Sequence, residues 1–480
     1  MVMRIHKPLL FTLMAVVALC VAAVVACNGK SLPAPRMSYL DNGQLRVGVN
    51  LAMGGAITYL AQSGGKMNLI NHVDLGREIQ MSDYSGPNPY IPPGRKIRSY
   101  WRMLGWNPVQ AGDAFKNPSK IVYFRNNGSS LVVRSIPMIW PLNNQPARCS
   151  FQTRITLQGD TAHVRCRMVV FRRDLKQYSA RPQECPALYT VGKLWRLVAY
   201  TGDRPFTNAP VTMLDPPVVL KRKMQVFAGT RKGDPWIAFN ATENWAALVN
   251  NAGFGLGIWA PGDYRFSGGF YGAVHGTGGP TDSQTGYIAP NFFDIIDHNI
   301  VYKYRYVLIV GSIGRIRSWV YKHAPRPGLP QWKFTRDRQH WGYVDAHDTG
   351  WPIKGCLNVS LTGAHPRLVG PDWFWRASKA PVLFIDAAFK TTAKVGAVWW
   401  RGLNENGFSP RSRVVFPING DGHYHRYAIR LAGNKAYRGA MAQLRIDPVP
   451  AGESGAWVKI KSIGFLRRTD DHSHHGGIKK

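Results

Sequence analysis

The chain has 480 residues, 45 % of them apolar, with 49 glycines and 33 prolines scattered without a period, which excludes a disordered chain, a collagen-like repeat and a helical bundle. Its formal net charge is +34, carried by 61 basic residues spread along the chain in short clusters such as Lys221-Arg222-Lys223. Such a balance suits an acidic polysaccharide, an anionic lipid surface or nucleic acid, or an exported protein adapted to an anionic envelope.

The first segment argues for export and so against nucleic acid. Arg4, His6 and Lys7 precede an uncharged apolar run from Pro8 to Ala26, the pattern of a signal peptide over 1–26. The run closes Val24-Val25-Ala26-Cys27, which resembles a bacterial lipoprotein cleavage pattern and makes Cys27 the candidate lipidation site. Its length is also close to the ~20 residues of a membrane helix. Residues 27–36 read as a spacer, and localisation as periplasmic or outer-membrane, alternatively extracellular.

From Gly54 to Tyr84 the pattern predicts strand, turn, strand, polar loop, strand, with the reversal at Ser63-Gly64-Gly65. Asn68, Asn71, Asp74, Arg77, Glu78, Gln80, Asp83 and Tyr84 are gathered among core-forming apolar residues here. Hydroxyl-rich ligands suit such polar forks, because each sugar hydroxyl donates and accepts. Ser85 to Asp113 is too rich in Pro, Gly and aromatics for a regular element, and its Tyr90, Tyr100, Trp101 and Trp106 read either as sugar-stacking rings or as cover for a sheet edge.

Strands are predicted at 121–124, 131–136, 151–157 and 162–171, with turns at Asn127-Gly128 and Gly159-Asp160. A second polar and aromatic stretch runs from Arg172 to Phe206. Strands then resume at 236–240, 245–250 and 255–259; Gly268 to Tyr287 reads as a glycine-rich loop, 300–310 as a strand, and Ile313, Ile316, Trp319 and Val320 as one helix face. Pro325 to Pro330 places a linker at 326–348. Strands recurring at short intervals from Thr349 predict a second β-sandwich over 349–468, and the histidine-bearing tail 469–480 reads as disordered.

The Gly54-Gly55-x-Ile57 opening, the Gly64-Gly65 turn, the asparagine-rich approach and Gly76-Arg77 before a strand resemble the N-terminal strands of the galactose-mutarotase-like β-supersandwich, over roughly residues 37–325. The closing Gln443-Leu444-Arg445-Ile446-Asp447-Pro448 resembles galactose-binding-like jelly rolls. The fold expected is therefore all-β: an N-terminal β-supersandwich followed by a C-terminal jelly-roll sandwich. The resemblance implies a carbohydrate-active protein and makes Arg77 a substrate-binding donor. The Asn-Arg element of aldose epimerases does not follow Arg77, which counts against simple mutarotation.

Glutamate is scarce: Glu78, Glu184, Glu243, Glu405 and Glu453 are all the chain has. Glycoside hydrolysis commonly uses an acid and a second carboxylate, about 5 Å apart or about 6.5–9.5 Å apart according to mechanism. Glu184, with Glu243 or Asp83, is the candidate catalytic set. Arg77, Glu78, Gln80, Tyr84, Trp106, Arg181, Gln183 and Tyr189 are the candidate sugar-binding residues. The leading expectation is a glycoside hydrolase acting on a polysaccharide. A non-catalytic carbohydrate-binding or cell-surface protein is the alternative, as is a lyase on an acidic glycan, for which His72, His275, His298, Tyr189 and Tyr287 offer bases. No cofactor is expected. Cys149, Cys166, Cys185 and Cys356 lack metal-ligand spacing and read as buried thiols or a Cys166–Cys185 bridge, and His423-x-His425 is weak evidence for a metal.

Overall fold

The computed structural model describes residues 31–214, 236–326 and 328–466. The leader at 1–26, Cys27, the start of the spacer, the Lys221-Arg222-Lys223 cluster and the tail at 469–480 lie outside the described residues. The described part is all-β as expected, apart from one α-helix and three short 3-10 turns, and the chain divides into two compact units, 1–292 with 296–324, and 293–295 with 325–480.

The first unit holds a ten-stranded and a nine-stranded antiparallel sheet among its described residues. Along the ten-stranded sheet the order is Met37–Asp41, Leu45–Asn50, Ala56–Gln62, Ile79–Ser82, Arg181–Val191, Thr285–Asp294, Arg265–Tyr271, Trp236–Asn240. The nine-stranded sheet is centred on Val301–Ser312, flanked by Phe254–Trp259 and Thr161–Val170. The inner faces meet, with Cys185 Sγ lying 3.6 Å from Tyr302 Oη.

Local chemistry accounts for most of these elements. Cys149–Gln158 and Thr161–Val170 alternate buried and less buried positions and pair from Gln158 opposite Thr161, around a Gly159 at φ +59°. That register puts Cys149 opposite Val170 and Cys166 opposite Thr153, and none of Cys149, Cys166, Cys185 and Cys356 is joined in a disulfide. Gly54, at φ +59°, must be glycine for another reason as well: a Cβ there would sit 1.8 Å from the carbonyl oxygen of Gln110. The helix Ile313–His323 starts on Ser312, whose hydroxyl accepts the backbone N–H of Arg315 at 3.2 Å. It buries Ile316, Trp319 and Val320 against Trp245, Trp259 and Ile309, each such apolar side chain contributing roughly 1.5–3 kcal/mol.

Three expectations are corrected. Arg181–Val191, within the polar and aromatic stretch 172–206 where the sequence marks no strand, is an eleven-residue strand. Pro186 is tolerated in a central position because the register with Ile79–Ser82 breaks between Glu184 and Ala187, across Cys185-Pro186, so that ladder makes no demand on the missing N–H there, and Pro182 lies before the first pair of that ladder, Glu184 with Ser82. Gly268 and Gly269 belong to the strand Arg265–Tyr271 rather than to a loop. Trp236 and Tyr287 pair with Gly269 from either side, and their rings meet at 4.8 Å over it, so a side chain at this position would occupy the space the rings fill. The strand expected just after Ser63-Gly64-Gly65 is only an isolated bridge between Ile70 and Thr190.

The second unit carries two six-stranded sheets. One runs His347–Asp348, Leu357–Ser360, Trp457–Gly464, Val382–Lys390, Asp421–Arg430, and the other Gly342–Val344, Arg367–Val369, Ala440–Asp447, Val395–Gly402, Arg413–Pro417. Within 331–348, read from the sequence as part of a linker, Gln331–Lys333, Gly342–Val344 and His347–Asp348 pair into these sheets.

Candidate active site

Alternation along Ile79–Ser82 and its flanks assigns side chains to faces. Ser82 and Tyr84 point to the face that also receives Glu184, since Glu184 is registered with Ser82. Tyr84 Oη donates to Glu184 Oε2 at 3.0 Å, Tyr287 Oη donates to Glu184 Oε1, and the Ser82 hydroxyl beside them donates to Tyr84 Oη at 3.4 Å. Burial raises the Glu184 carboxyl above the usual carboxylate range, and the Tyr287, Ser82 and Tyr84 hydrogen bonds pull it part of the way back. No guanidinium, ammonium or imidazole forms an ion pair with it among the described residues.

Aromatic and small residues surround this carboxyl. The Tyr189 and Tyr287 rings lie 4.8 Å apart, and Tyr287 meets Trp236, while Ala187, Ala238 and Ala289 line the same cluster. Ser267 and Gly269 share the face, being paired with Ala289 and Tyr287. Ser267 Oγ, Trp236 Nε1 and Glu78 Oε1 are buried there with no hydrogen-bond partner among the described residues. Glu78 stands on this face too, four residues from Ser82, or ~13 Å along the ladder, and burial raises its carboxyl well above the ordinary value. The whole face is closed: Glu184 is 4 % exposed and Tyr287 and Trp236 are 0 % exposed.

The other candidate carboxylates are elsewhere. Asp83 faces the interior between the two sheets, where its charge is felt by Cys149 and Cys166 of the nine-stranded sheet. It is therefore on the opposite face from Glu184. Glu243 sits between Trp236–Asn240 and Trp245–Val249, where five donors hold it: Arg317 Nε and Nη2 at 3.0 and 2.9 Å, Tyr321 Oη at 2.8 Å, Trp245 Nε1 at 2.9 Å and the Phe206 N–H at 2.8 Å. It ties the helix Ile313–His323 down.

Most expected sugar-binding residues are occupied by the fold. Arg77 pairs with Asp74 at 3.2 Å and donates to Ser283 O at 2.7 Å, crossing to the loop after the glycine strand. Gln80 donates to Glu78 Oε2 and Leu75 O and accepts the Ala111 N–H. Gln183 bonds both the N–H and the C=O of Tyr84. Arg181 donates to the carbonyls of Ser85, Leu104 and Met103, and burial lowers it to about 10. Trp106 is buried under the Arg172 guanidinium, 5.1 Å from the ring, and Trp101 packs with Tyr84 and Trp140 in a core cluster, so the 85–113 segment covers the sheet. Of that group Glu78, Tyr84 and Tyr189 join Glu184. Ser82, Trp236 and Ser267 were not singled out from sequence, and only strand pairing brings them there.

Among the histidines, His275 stacks on Trp195 at 4.6 Å and burial lowers His72. His425 pairs with Asp421 at 2.8 Å on an exposed strand, and no cluster of metal-ligating side chains is present among the described residues.

No protein-family model matches the sequence, and no curated protein matches it. Among solved structures the chain is similar to a galactose mutarotase related enzyme from Lactobacillus acidophilus, at 8 % identity and TM-score 0.35 over 58 % of this chain and 98 % of that one. It is also similar to a galactose mutarotase-like protein from Lactobacillus casei, at 10 % identity and TM-score 0.34 over 57 % and 100 %. A 4-alpha-glucanotransferase from Thermococcus litoralis matches at 9 % identity and TM-score 0.30, over 58 % of this chain and 40 % of that one. At TM-scores of 0.30 to 0.35 these likenesses assign the chain no activity and its residues no roles.

Proposed function

We propose that the protein is carbohydrate-active and acts on a polysaccharide by general-acid chemistry at Glu184, with glycoside hydrolysis as the reaction class. One observation carries the reading: a carboxyl buried without a cation, between two phenols, is biased toward its protonated form and so is suited to deliver a proton to a leaving oxygen. The aromatic rings of Tyr189 and Trp236, and the unsatisfied Ser267 hydroxyl and Glu78 carboxyl oxygen beside them, match a ligand with apolar ring faces and polar edges. Export and attachment through Cys27 belong to the same proposal.

A second reading is a non-catalytic carbohydrate-binding protein, favoured by the closure of this face and by the separation of Glu184 from Asp83 and Glu243. Incubation of the protein with neutral and acidic polysaccharides, following reducing ends and ultraviolet absorbance together, separates the readings. New reducing ends without absorbance, lost in Glu184→Gln, support general-acid hydrolysis. Absorbance indicates elimination, and silence in both channels with retained glycan binding selects the binding protein. Undiminished turnover in Glu184→Gln removes Glu184 from the chemistry.

A further inference from the structure

In the second unit, one sheet presents an open face with an unusual charge arrangement. Val369, Arg445, Trp399 and Arg413 are registered in one row across four neighbouring strands. Arg445 is held rigidly: its Nε and Nη2 bond Asp447 Oδ1 and Oδ2 at 2.8 and 2.9 Å, and its guanidinium lies 4.0 Å from the centre of the Trp399 ring. From the next strand, Arg413 reaches to 5.2 Å from the same ring.

A hollow of about 230 Å³ opens on this face. Its floor is low because strand Val395–Gly402 presents only the small Ala397 there, beside Val415, 51 % exposed, while Val395, 37 % exposed, supplies an apolar wall. Arg367 and Arg413 stand at its two sides, on strands three spacings apart, or ~14 Å. The carboxylate in the lining, Asp447, is already neutralised by Arg445. Neither Arg367 nor Arg413 has a carboxylate partner among the described residues. The crowding is felt by Arg445, whose guanidinium is lowered by burial, supported by Asp447 and pushed down again by Arg367 and Arg413.

We infer that this hollow is a binding site for an oxyanion-bearing saccharide, whose ring rests on the Ala397 and Val415 floor while its carboxylate or sulfate groups are taken by Arg367 and Arg413. Guanidinium forks recognise planar oxyanions through paired, charge-assisted hydrogen bonds, and two of them left uncompensated beside an apolar floor select an acidic ring over a neutral one. The volume admits a single sugar residue rather than a larger ligand. The saccharide class follows the function proposed above, but the site is separate from Glu184.

The test is calorimetric titration of the full chain with polygalacturonate oligomers, sulfated dextran, neutral dextran and phosphatidylglycerol vesicles. The variants are Arg367→Gln, Arg413→Gln, their double variant, and Glu184→Gln as a control. Expected are binding of an acidic polymer but not neutral dextran, a shallower salt dependence in each single variant, about tenfold or more weakening in the double variant, and unchanged binding in Glu184→Gln. Which acidic polymer binds distinguishes carboxylate from sulfate. Equal binding of neutral dextran, vesicle binding without saccharide binding, or an unchanged affinity and salt slope in a double variant of unaltered melting temperature would overturn the inference. Loss of turnover at Glu184 with this binding intact leaves it standing, so the two proposals fail separately.

Discussion

Glu184 and Glu243 are both buried in the first unit, yet their surroundings give them opposite characters. Around Glu184, on the ten-stranded sheet, the partners are phenols and a serine hydroxyl, and no cation pairs with it among the described residues. Around Glu243, under the helix, Arg317 forms a bidentate pair and three further donors complete the shell. A carboxylate that gives up water for a guanidinium becomes a tether. One that gives up water for neutral hydroxyls is driven toward its protonated form and retains a proton to exchange. Burial alone does not distinguish a structural acid from a chemical one; the charge of the partner does.

That contrast can be broken by substitution. Glu243→Ala is expected to have the largest effect on stability, a loss of about 3–5 kcal/mol in urea unfolding, because it strands Arg317 and removes the anchor of the helix. A loss below 1 kcal/mol would show that the tether matters little. Glu184→Gln is expected to act in the other direction on stability and strongly on turnover. Loss of a general acid typically costs about 100-fold or more in rate.

The pH dependence fixes the sign. Because the folded-state value of Glu184 is raised, the folded protein holds its proton above the pH at which the unfolded chain releases it. The carboxyl imposes no penalty below its ordinary value of 4.5, and stability declines as pH rises from there through the raised folded value. Comparing urea midpoints of the parent and Glu184→Gln at pH 4 and pH 8 should show the variant relatively more stable at pH 8; a fixed difference would place the carboxyl's titration at its ordinary value.

Tyr287→Phe is a finer probe. It should cost about 1–3 kcal/mol through the lost hydrogen bond to a buried carboxyl and raise the Glu184 value further, moving the alkaline limb of the rate profile upward. An unmoved limb would separate the two groups. The smallest effect belongs to Arg413→Gln, which is exposed and outside any ion pair among the described residues, and should leave the melting transition within about 0.5 kcal/mol of the parent.

Much of the fold was legible. Period-2 alternation marked Cys149–Gln158, Thr161–Val170 and Val301–Ser312, a Gly-Asp pair marked the hairpin, and 3.6-residue spacing marked the helix. The strand Arg181–Val191 was hidden because its prolines argue against a central strand, and only a partner that tolerates a register break permits them. The glycines at 268 and 269 read as a loop because their use, Gly268 leaving room for Leu197 and Gly269 for Trp236 and Tyr287, is invisible without the neighbouring strands.

The sequence by itself therefore determined the class of structure, the positions of most strands and the choice of Glu184 as the acid to examine, since those follow from local periodicity and from the rarity of glutamate. Tertiary structure decided the partners: that Asp83 turns to the other face, that Glu243 meets Arg317 74 residues further along the chain, and that Arg367, Trp399, Arg413 and Arg445 share one face of a sheet. Those outcomes depend on strand order and register, and a one-residue change of register would send every one of these side chains to the opposite side.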